Sequence, residues 1–379
     1  MRFPEFTEPW ERYKVSDILD FYSTNSLSWE QLEFTDGELR NLHYGMIHVG
    51  LPTLLNMKES KLPTIKDGNE PRSYTLCING DVAFADASED TNDVARAIEL
   101  VETDGQKVVF GLHTIHGRDN KGLTEVGFKG YLFSSRVFHD QIKRIAQGTK
   151  VFSISNKNFS ECFVGIPSKA EQTKIARLLS LLDRRIAVQS KLIEDLQQLK
   201  SAISTIIFSN LNYEIVKLGD ICSITTGKLD ANAMVDNGVY PFFTCAEQIY
   251  KIDTYSFDSE ALLISGNGAN VGYIHYYKGK FNAYQRTYVL SDFQVNIIYV
   301  KYFLDKYLHN RIEQEKNTGN TPYILMSTLS EMKINIPKSE QQNKIIEILT
   351  SISNKIEIEQ QLLIRINLQK QYLLKVMFT

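Results

Sequence analysis

The sequence predicts an α+β chain in which two mixed α/β segments are separated by two long helices. These pair as an antiparallel intramolecular coiled coil, and a pseudo-twofold repeat relates the halves. Three observations carry this. The chain has 379 residues, too many for one compact domain at about 150 residues each. Ile166-Pro167 recurs as Ile336-Pro337, and the residues that follow align without a gap at an offset of 170. No Pro or Gly interrupts 168–209 or 338–379, and apolar residues recur there at helical spacing.

Residues 1–165 form the first globular segment. Tyr74–Ile78, Lys107–Leu112, Gly130–Ser134 and Val151–Ile154 read as strands between Gly and Asp turns, and Val137–Gln147 reads as a helix. A β-like stretch, Glu161–Gly165, then runs into Ile166-Pro167. Pro pre-sets φ without needing an N–H partner, so a helix starts there.

That helix spans 166–210. With Ile175 at heptad position a, the a row is Ile175, Leu182, Gln189, Leu196 and Ile203, and the d row is Leu178, Arg185, Leu192, Leu199 and Ile206. An e row of Leu179, Ile186, Ile193, Lys200 and Ile207 widens the stripe.

Residues 211–335 repeat the plan with strands at Ile215–Leu218, Ala261–Ile264, Val271–Tyr277 and Thr287–Leu290, a helix at Tyr299–Glu315 and a β-like Lys333–Asn335. The last segment, 336–379, is the second long helix, with identities at Gln172/Gln342, Ile175/Ile345, Leu179/Leu349, Lys200/Lys370 and Phe208/Phe378. Polar breaks recur at matched depths, Arg185/Lys355, Gln189/Glu359 and Lys200/Lys370, and polar seam residues fix register and partner choice. Two matching stripes are satisfied most simply by packing on each other. Some 38 residues at ~1.5 Å each make a rod of roughly 57 Å.

Charge narrows the function. The net charge of −3 argues against gripping nucleic acid by bulk charge, yet its distribution is uneven. Residues 1–104 carry 9 basic and 20 acidic side chains, whereas 105–165 carry 9 and 4. The same change of sign recurs between 211–265 and 266–335. No apolar run approaches the ~20 residues of a membrane span, so the chain reads as soluble and cytoplasmic. Cys77, Cys162, Cys222 and Cys245 lack a paired C-x-x-C spacing, which predicts reduced thiols and no metal site.

Catalytic constellations are missing. Ser265-Gly-Asn-Gly-Ala-Asn-Val-Gly272 lacks the Gly-Lys-Ser/Thr of a P-loop and lies between strand-like runs, which suits a tight hairpin or a DNA-phosphate contact. Asn320-Thr-Pro-Tyr323 has Thr in its second place and no glycine-rich cofactor loop upstream. His113-Thr-Ile-His116 would face opposite sides of a strand, and Glu331-Met-Lys333 lacks the upstream Asp of a nuclease centre. What remains suits paired hydrogen bonds to base edges. The candidates for DNA binding are Arg72, Arg96, His113, Arg118 and Lys121 in the first segment, and Lys228, Asn267, Asn270, Arg286, Asn317, Asn320 and Tyr323 in the second.

At the repeats the resemblance becomes specific. Ile166-Pro-Ser-Lys-Ala-Glu-Gln-Thr-Lys-Ile175 and its second copy resemble the conserved regions of type I restriction-modification specificity subunits. Arg2-Phe-Pro-Glu-Phe6 with Trp10, Gly80-Asp-Val-Ala-Phe-Ala-Asp-Ala-Ser88 and Gly111-Leu-His-Thr114 resemble that family's first target-recognition domain. Lys217-Leu-Gly-Asp-Ile221, Thr226-Gly-Lys228, Tyr240-Pro-Phe242 and Ser265-Gly-Asn-Gly268 resemble the second.

The resemblance implies a non-catalytic subunit whose two recognition domains each read one half of a split double-stranded DNA site. It implies two modification subunits as partners, which methylate adenine N6 with S-adenosylmethionine, and restriction subunits that use ATP and Mg²⁺. No cofactor or metal is expected on this chain. The recognition segments differ in length and share little sequence, so the target is expected to be asymmetric. Two other readings of the residues are a scaffold whose rod holds two protein-binding domains, with no DNA role, and a self-sufficient adenine methyltransferase, disfavoured by the missing cofactor loop.

Overall fold

The computed structural model describes residues 2–209, 213–315 and 323–378. They fall into two compact units, Met1–Ser190 with Gln361–Thr379, and Lys191–Gln360. In the first unit the chain forms β1 (Glu11–Lys14), α1 (Val15–Ile18), β2 (Asp20–Tyr22), β3 (Leu32–Glu33), β4 (Leu39–Leu42), α2 (Tyr44–His48), β5 (Leu54–Asn56) and β6 (Thr64–Ile65). It continues with β7 (Val82–Ala85), β8 (Ala87–Ser88), β9 (Ala97–Glu102), β10 (Lys107–Phe110) and β11 (Thr114–Arg118). Then come α3 (Phe128–Phe133), α4 (Arg136–Ile145), β12 (Phe152–Ser153), α5 (Asn156–Ser160), β13 (Phe163–Ile166) and the long α6 (Lys169–Ser209).

The second unit holds β14 (Glu214–Lys217), α7 (Leu218–Ile221), β15 (Ser223–Thr226), β16 (Tyr240–Phe243), β17 (Tyr250–Ile252), β18 (Phe257–Ser265), β19 (Ile274–Ala283) and β20 (Thr287–Ser291). It closes with α8 (Ile297–Glu315), α9 (Met326–Ser330), β21 (Lys333–Ile336) and the second long helix, α10 (Ser339–Val376).

Each unit has one principal sheet. The first has strand order β2-β11-β7-β9-β5 and the second β15-β20-β18-β19-β16-β17. The first five strands match one for one in pairing sense, antiparallel until the last pair, β9–β5 or β19–β16, which is parallel. A further sheet, β10-β4-β6-β3, is found in the first unit and accounts for its longer segment. Below each sheet lies an aromatic core, around Phe84, Phe128, Phe133 and Phe159 in one unit and Tyr299, Phe303, Leu262 and Leu290 in the other.

Three expected strands differ. Gly130–Ser134 belongs to a helix, because its whole run is buried and a run without a solvent face carries no period to tell strand from helix. The Glu99 carboxylate fixes the start of that helix, accepting from Gly127 N at 2.8 Å and Gly130 N at 2.7 Å. Tyr74–Ile78 stays irregular, with Cys77 N donating to Val108 O and Ile78 N to the Asp81 carboxylate. The strand expected from Val271 begins at Ile274, since 271–273 close a turn.

The duplication runs deeper than the sequence identities. β1 pairs antiparallel with β13, Glu11 opposite Ile166, and β14 with β21, Glu214 opposite Ile336. Val15 N donates to Cys162 O at 2.8 Å, and Leu218 N to Met332 O at 2.8 Å. Lys14 meets Glu161 at 2.7 Å, and Lys217 meets Glu331 at 2.5 Å. At the helix starts, Gln172 Nε2 donates to Pro167 O and Gln342 Nε2 to Pro337 O, each at 2.9 Å with the amide buried. In the first unit Arg2 also forks onto the buried Glu171, at 2.8 and 2.5 Å.

The helices run antiparallel. In the first unit Ile175, Leu178 and Leu182 of α6 share a core with Leu373 and Leu374 of α10. In the second, Ile203 and Ile207 of α6 share one with Ile345, Ile346 and Leu349 of α10. The buried stripe consists of the a and e rows: Ile175, Leu179, Gln189 and Ile193 are buried, as are Ile345, Leu349, Ile356, Glu359 and Ile366. Residues 175, 179, 182, 186, 189 and 193 alternate steps of four and three, which is itself a heptad seam. The d row turns outward beyond Leu178, with Arg185, Leu192, Leu199 and Ile206 exposed.

The polar seam residues are held. Lys370 pairs with Asp183 at 2.5 Å, and Tyr131 Oη donates to the same carboxylate at 2.8 Å. Lys200 lies over the Tyr302 ring at 5.4 Å, and burial pushes its pKa down. Lys355, exposed, pairs with Glu359 one turn on.

Among the described residues no helix is long and apolar enough to cross a membrane. All four cysteines are free, and burial raises the thiols of Cys162 to about 11 and Cys222 to about 12.

Each long helix ends with a buried phenylalanine. Phe208 packs edge-on against Phe303 and Tyr299, with centroids at 5.4 and 5.9 Å, and Phe378 against Trp10 at 6.0 Å. Phe208→Ala and Phe378→Ala are each expected to cost about 3–5 kcal/mol, read as a lower denaturant midpoint. A loss below 1 kcal/mol at either position would show that its plug is dispensable.

Candidate nucleic-acid interface

In the second unit a hairpin and a turn meet at one end of the sheet. The hairpin joins β18 to β19 through Ser265–Gly272, closed by Gly272 N to Ser265 O at 2.8 Å and Ser265 N to Tyr273 O at 2.9 Å. The turn Tyr284–Thr287 joins β19 to β20. Gly266 N donates to Arg286 O at 2.8 Å, and Cys245 Sγ donates to the same carbonyl at 3.3 Å. Glycine is required at 266 because a Cβ would lie 2.3 Å from Arg286 O.

Other segments lock onto this pair. Ile324 N donates to Gly266 O at 2.8 Å, and Asn267 bridges Tyr323. Asn270 Nδ2 reaches Cys245 O at 3.4 Å. Leu229 bridges Tyr284, which sets Lys228 beside the turn. The fold therefore gathers Lys228, Asn267, Asn270, Arg286 and Tyr323, with Lys228, Arg286 and Tyr323 exposed and the two amides half-buried. Fork, amide and ammonium donors at one edge suit base edges and phosphates. Asn317 and Asn320 lie outside the described residues.

The first unit repeats several of these backbone hydrogen bonds with other side chains, across a longer hairpin and with His113 at a left-handed φ of 54° that Arg286 does not share. Asp86 N donates to His113 O at 3.1 Å, as Gly266 N does to Arg286 O. Ala95 N donates to Ala85 O and Ile154 N to Asp86 O, each at 2.9 Å, matching Gly272 N to Ser265 O and Ile324 N to Gly266 O. Ser153 pairs with Ala87 as Tyr323 does with Asn267. His113 thus occupies the position of Arg286, directly before the strand at the same place in the sheet.

His113 is exposed, with Nδ1 at 3.1 Å from Asp86 Oδ1 and the Tyr44 ring edge-on at 5.2 Å. It borders a cleft of about 470 Å³ with Tyr44, His48, Asp90, Asp93 and Val151. Arg96 flanks the cleft, donating to His48 O at 3.3 Å and standing 4.0 Å from Asp93. Sequence reasoning missed Asp86, Tyr44, His48, Asp93 and Cys245. A signal for the matched loops was available: Ile154/Ile324, Ser160/Ser330 and Glu161/Glu331 are identities at the same offset of 170.

The other first-unit candidates lie elsewhere. Arg118 is at the far end of β11 from His113, and its guanidinium grips the fully buried Asp81 through Nε at 2.8 Å and Nη2 at 2.7 Å. His116 Nε2 is 2.8 Å from the same carboxylate, and the Ile78 N–H adds a fourth contact. Cys77, Asp81 and His116 are a group of metal-ligand type, yet Arg118 already supplies the cation. Lys121 is exposed with Nζ on Asp17 O at 2.6 Å, and Arg72 is exposed in the segment between β6 and β7.

Burial alone would raise the Asp81 pKa, but bonds from Arg118 and His116 outweigh it and hold the carboxyl below its usual range. Glu99, deeper beside Lys129 at 3.2 Å, goes the other way, pushed up by desolvation.

A family model described as the type I restriction modification DNA specificity domain matches residues 104–198 and 210–368. A type I restriction enzyme specificity subunit from Escherichia coli, EcoDI, is 36% identical over 147 residues, which is 39% of this chain and 32% of that protein. The chain thus spans about a third of that relative's length. A type I specificity subunit from Mycoplasma genitalium is 24% identical over 279 residues, covering 67% of this chain and 71% of the relative. A crystal structure of a type I system S subunit from M. genitalium superposes over 100% of this chain and 97% of its own, with a TM-score of 0.67 at 17% identity. A chain from a study of type I system assembly superposes over 98% and 97%, with a TM-score of 0.58 at 15% identity.

Asp81 gives a pH test. Its folded pKa lies below the ~3.9 of an unfolded aspartate, so its contribution is complete above that value and is lost as pH falls through the folded pKa. Asp81→Asn is expected to cost about 3–5 kcal/mol at pH 7, with the gap to wild type narrowing below pH ~4 in denaturant melts. A gap independent of pH would contradict the assignment.

Proposed function

The chain belongs to the type I restriction-modification DNA specificity family, and from that premise we propose that it reads an asymmetric, bipartite duplex, one half-site per sheet unit, for modification subunits that methylate adenine N6. The observation that carries this is the pair of matched loop sets: one set of backbone hydrogen bonds, made twice, presents His113, Arg96 and carboxylates in one unit and Arg286, Lys228 and amides in the other. Equal frames with unequal donors read unequal half-sites. The recognition domains are 1–165 and 211–335, and the helical spacers are 166–210 and 336–379.

The chain supplies no catalysis of its own. S-adenosylmethionine belongs to the modification subunits, and ATP and Mg²⁺ to restriction subunits where these join, all in the cytoplasm. Two modification subunits dock on the helices. In support, large apolar side chains stay exposed on both helices outside the seam, Val188, Leu199 and Ile206 on α6 and Ile358, Ile364 and Leu368 on α10. Of the first-unit candidates, Arg72 and Lys121 serve as phosphate contacts, which position a duplex without reading it.

Co-expression with the genomically neighbouring modification subunit, followed by single-molecule mapping of N6-methyladenine, is expected to reveal a split, asymmetric motif only when both chains are present. Replacing 211–335 with the same segment of a relative is expected to change one half of that motif. A change in both halves, or no methylation from a verified, assembled and otherwise competent complex, would overturn the proposal.

A further inference from the structure

We propose that the residue directly before the matched strands β11 and β20, His113 in one unit and Arg286 in the other, is the base-reading position of each half-site, and that Arg286 reads a guanine. This rests on the DNA-reading function proposed above and adds which residue reads and what it reads.

The frame spends only the backbone of this residue. The carbonyl of His113 or Arg286 accepts from the hairpin N–H of Asp86 or Gly266, and the following residue, Thr114 or Thr287, begins the strand. The side chain is exposed in both cases, although its neighbours on both sides of the sheet end are anchored. An exposed side chain on a pinned backbone is what discrimination between bases demands, since a paired contact tolerates little displacement.

The hairpin residue facing this position differs in a matched way. In the first unit it is Asp86, whose carboxylate lies 3.1 Å from His113 Nδ1 and so orients the imidazole with Nε2 outward. In the second it is Gly266, without a side chain, and among the described residues no hydrogen bond or ion pair engages the Arg286 guanidinium. The fork can therefore extend. A planar fork of donors matches the O6 and N7 acceptors of guanine in the major groove, which adenine cannot match because it presents a donor at N6. Asn267 and Asn270, on the loop locked to the same turn, add donor and acceptor amides beside it. Arg118, by contrast, has its fork committed to Asp81 and reads nothing.

The test compares wild type, Arg286→Ala, Arg286→Lys and His113→Ala, each co-expressed with the modification subunit, by genome-wide N6-methyladenine mapping. Arg286→Ala is expected to make one G·C position of one half-site degenerate, with discrimination there falling roughly 5- to 150-fold, while the other half stays intact and reports a folded complex. Arg286→Lys keeps the charge but loses the fork, so the same position should loosen. His113→Ala should loosen a position in the opposite half only.

An unchanged motif in both Arg286 variants overturns the inference. So does a loosened position that is not G·C, or methylation slowed equally at all sites, which is the signature of a phosphate contact. Loss of all methylation by both variants, with melting curves like wild type, also overturns it. A wild-type complex that yields no split motif would instead overturn the DNA-reading function itself, and this inference with it.

Discussion

Each long helix leaves its globular unit through one turn whose geometry a single buried amide controls. Pro167 and Pro337 lie just before their helices, where their carbonyls are outside the helical ladder, and the Gln172 and Gln342 side chains supply a donor to each at 2.9 Å from inside the helix. Because a buried carbonyl left unpaired is costly, the glutamine ties the first helical turn to the strand before it. That strand is tied in turn to the start of its unit, β13 to β1 and β21 to β14, in the same register. The direction of the helix is thereby set by the sheet unit, and the seam residues meet at fixed depth only if this joint is rigid.

The seam also shows how a duplicated helix pair avoids being interchangeable. Lys370 and Lys200 are equivalent positions, and each lies near a tyrosine from its globular unit, Tyr131 and Tyr302. Their remaining partners differ. In the first unit Asp183 receives both Lys370 and the Tyr131 hydroxyl, whereas Tyr302 donates to Thr350 in the second. A charge-paired lysine at one end and a partly desolvated one at the other favour one register, since sliding the helices would strand a half-buried ammonium.

Much of this was legible in the sequence, for identifiable reasons. Amphipathic spacing, the absence of Pro and Gly, and the recurrence of Ile-Pro are local signals, and they located both helices and their duplication. The facing of the stripe was less accessible. The a, d and e rows are all largely apolar, so only packing could decide that a and e turn inward and that Arg185 and Leu192 face outward. Gly130–Ser134 misled for the same reason, as a run buried on every side has no period. Of the second-unit candidates, the five described ones converge because they sit on turns of one sheet end. Arg118 did not join His113 because five residues of extended strand carry them about 16 Å apart and a buried carboxylate claims its guanidinium. Nothing local to Arg118 announces Asp81, which lies 37 residues away in sequence.

The hydrogen bonds the two loop frames share explain how their side chains can diverge without disturbing the fold. Within the loop frames, the bonds that match between the units, Asp86 N to His113 O and Gly266 N to Arg286 O foremost, run between backbone groups. Backbone bonds are indifferent to the side chain unless a Cβ is forbidden, and among the loop positions compared the tight case is Gly266, with a carbonyl 2.3 Å from where its Cβ would lie. The frame thus fixes where a side chain starts while leaving open which side chain starts there. Stability is drawn from the aromatic cores, to which Ala95 and Ile324 of the loop frames also belong, and from buried pairs such as Asp81 with Arg118 and Glu99 with Lys129. Because the shared frame is held by backbone bonds, two copies of one sheet can present a histidine with a carboxylate in one place and, in the other, a guanidinium that no hydrogen bond or ion pair engages among the described residues.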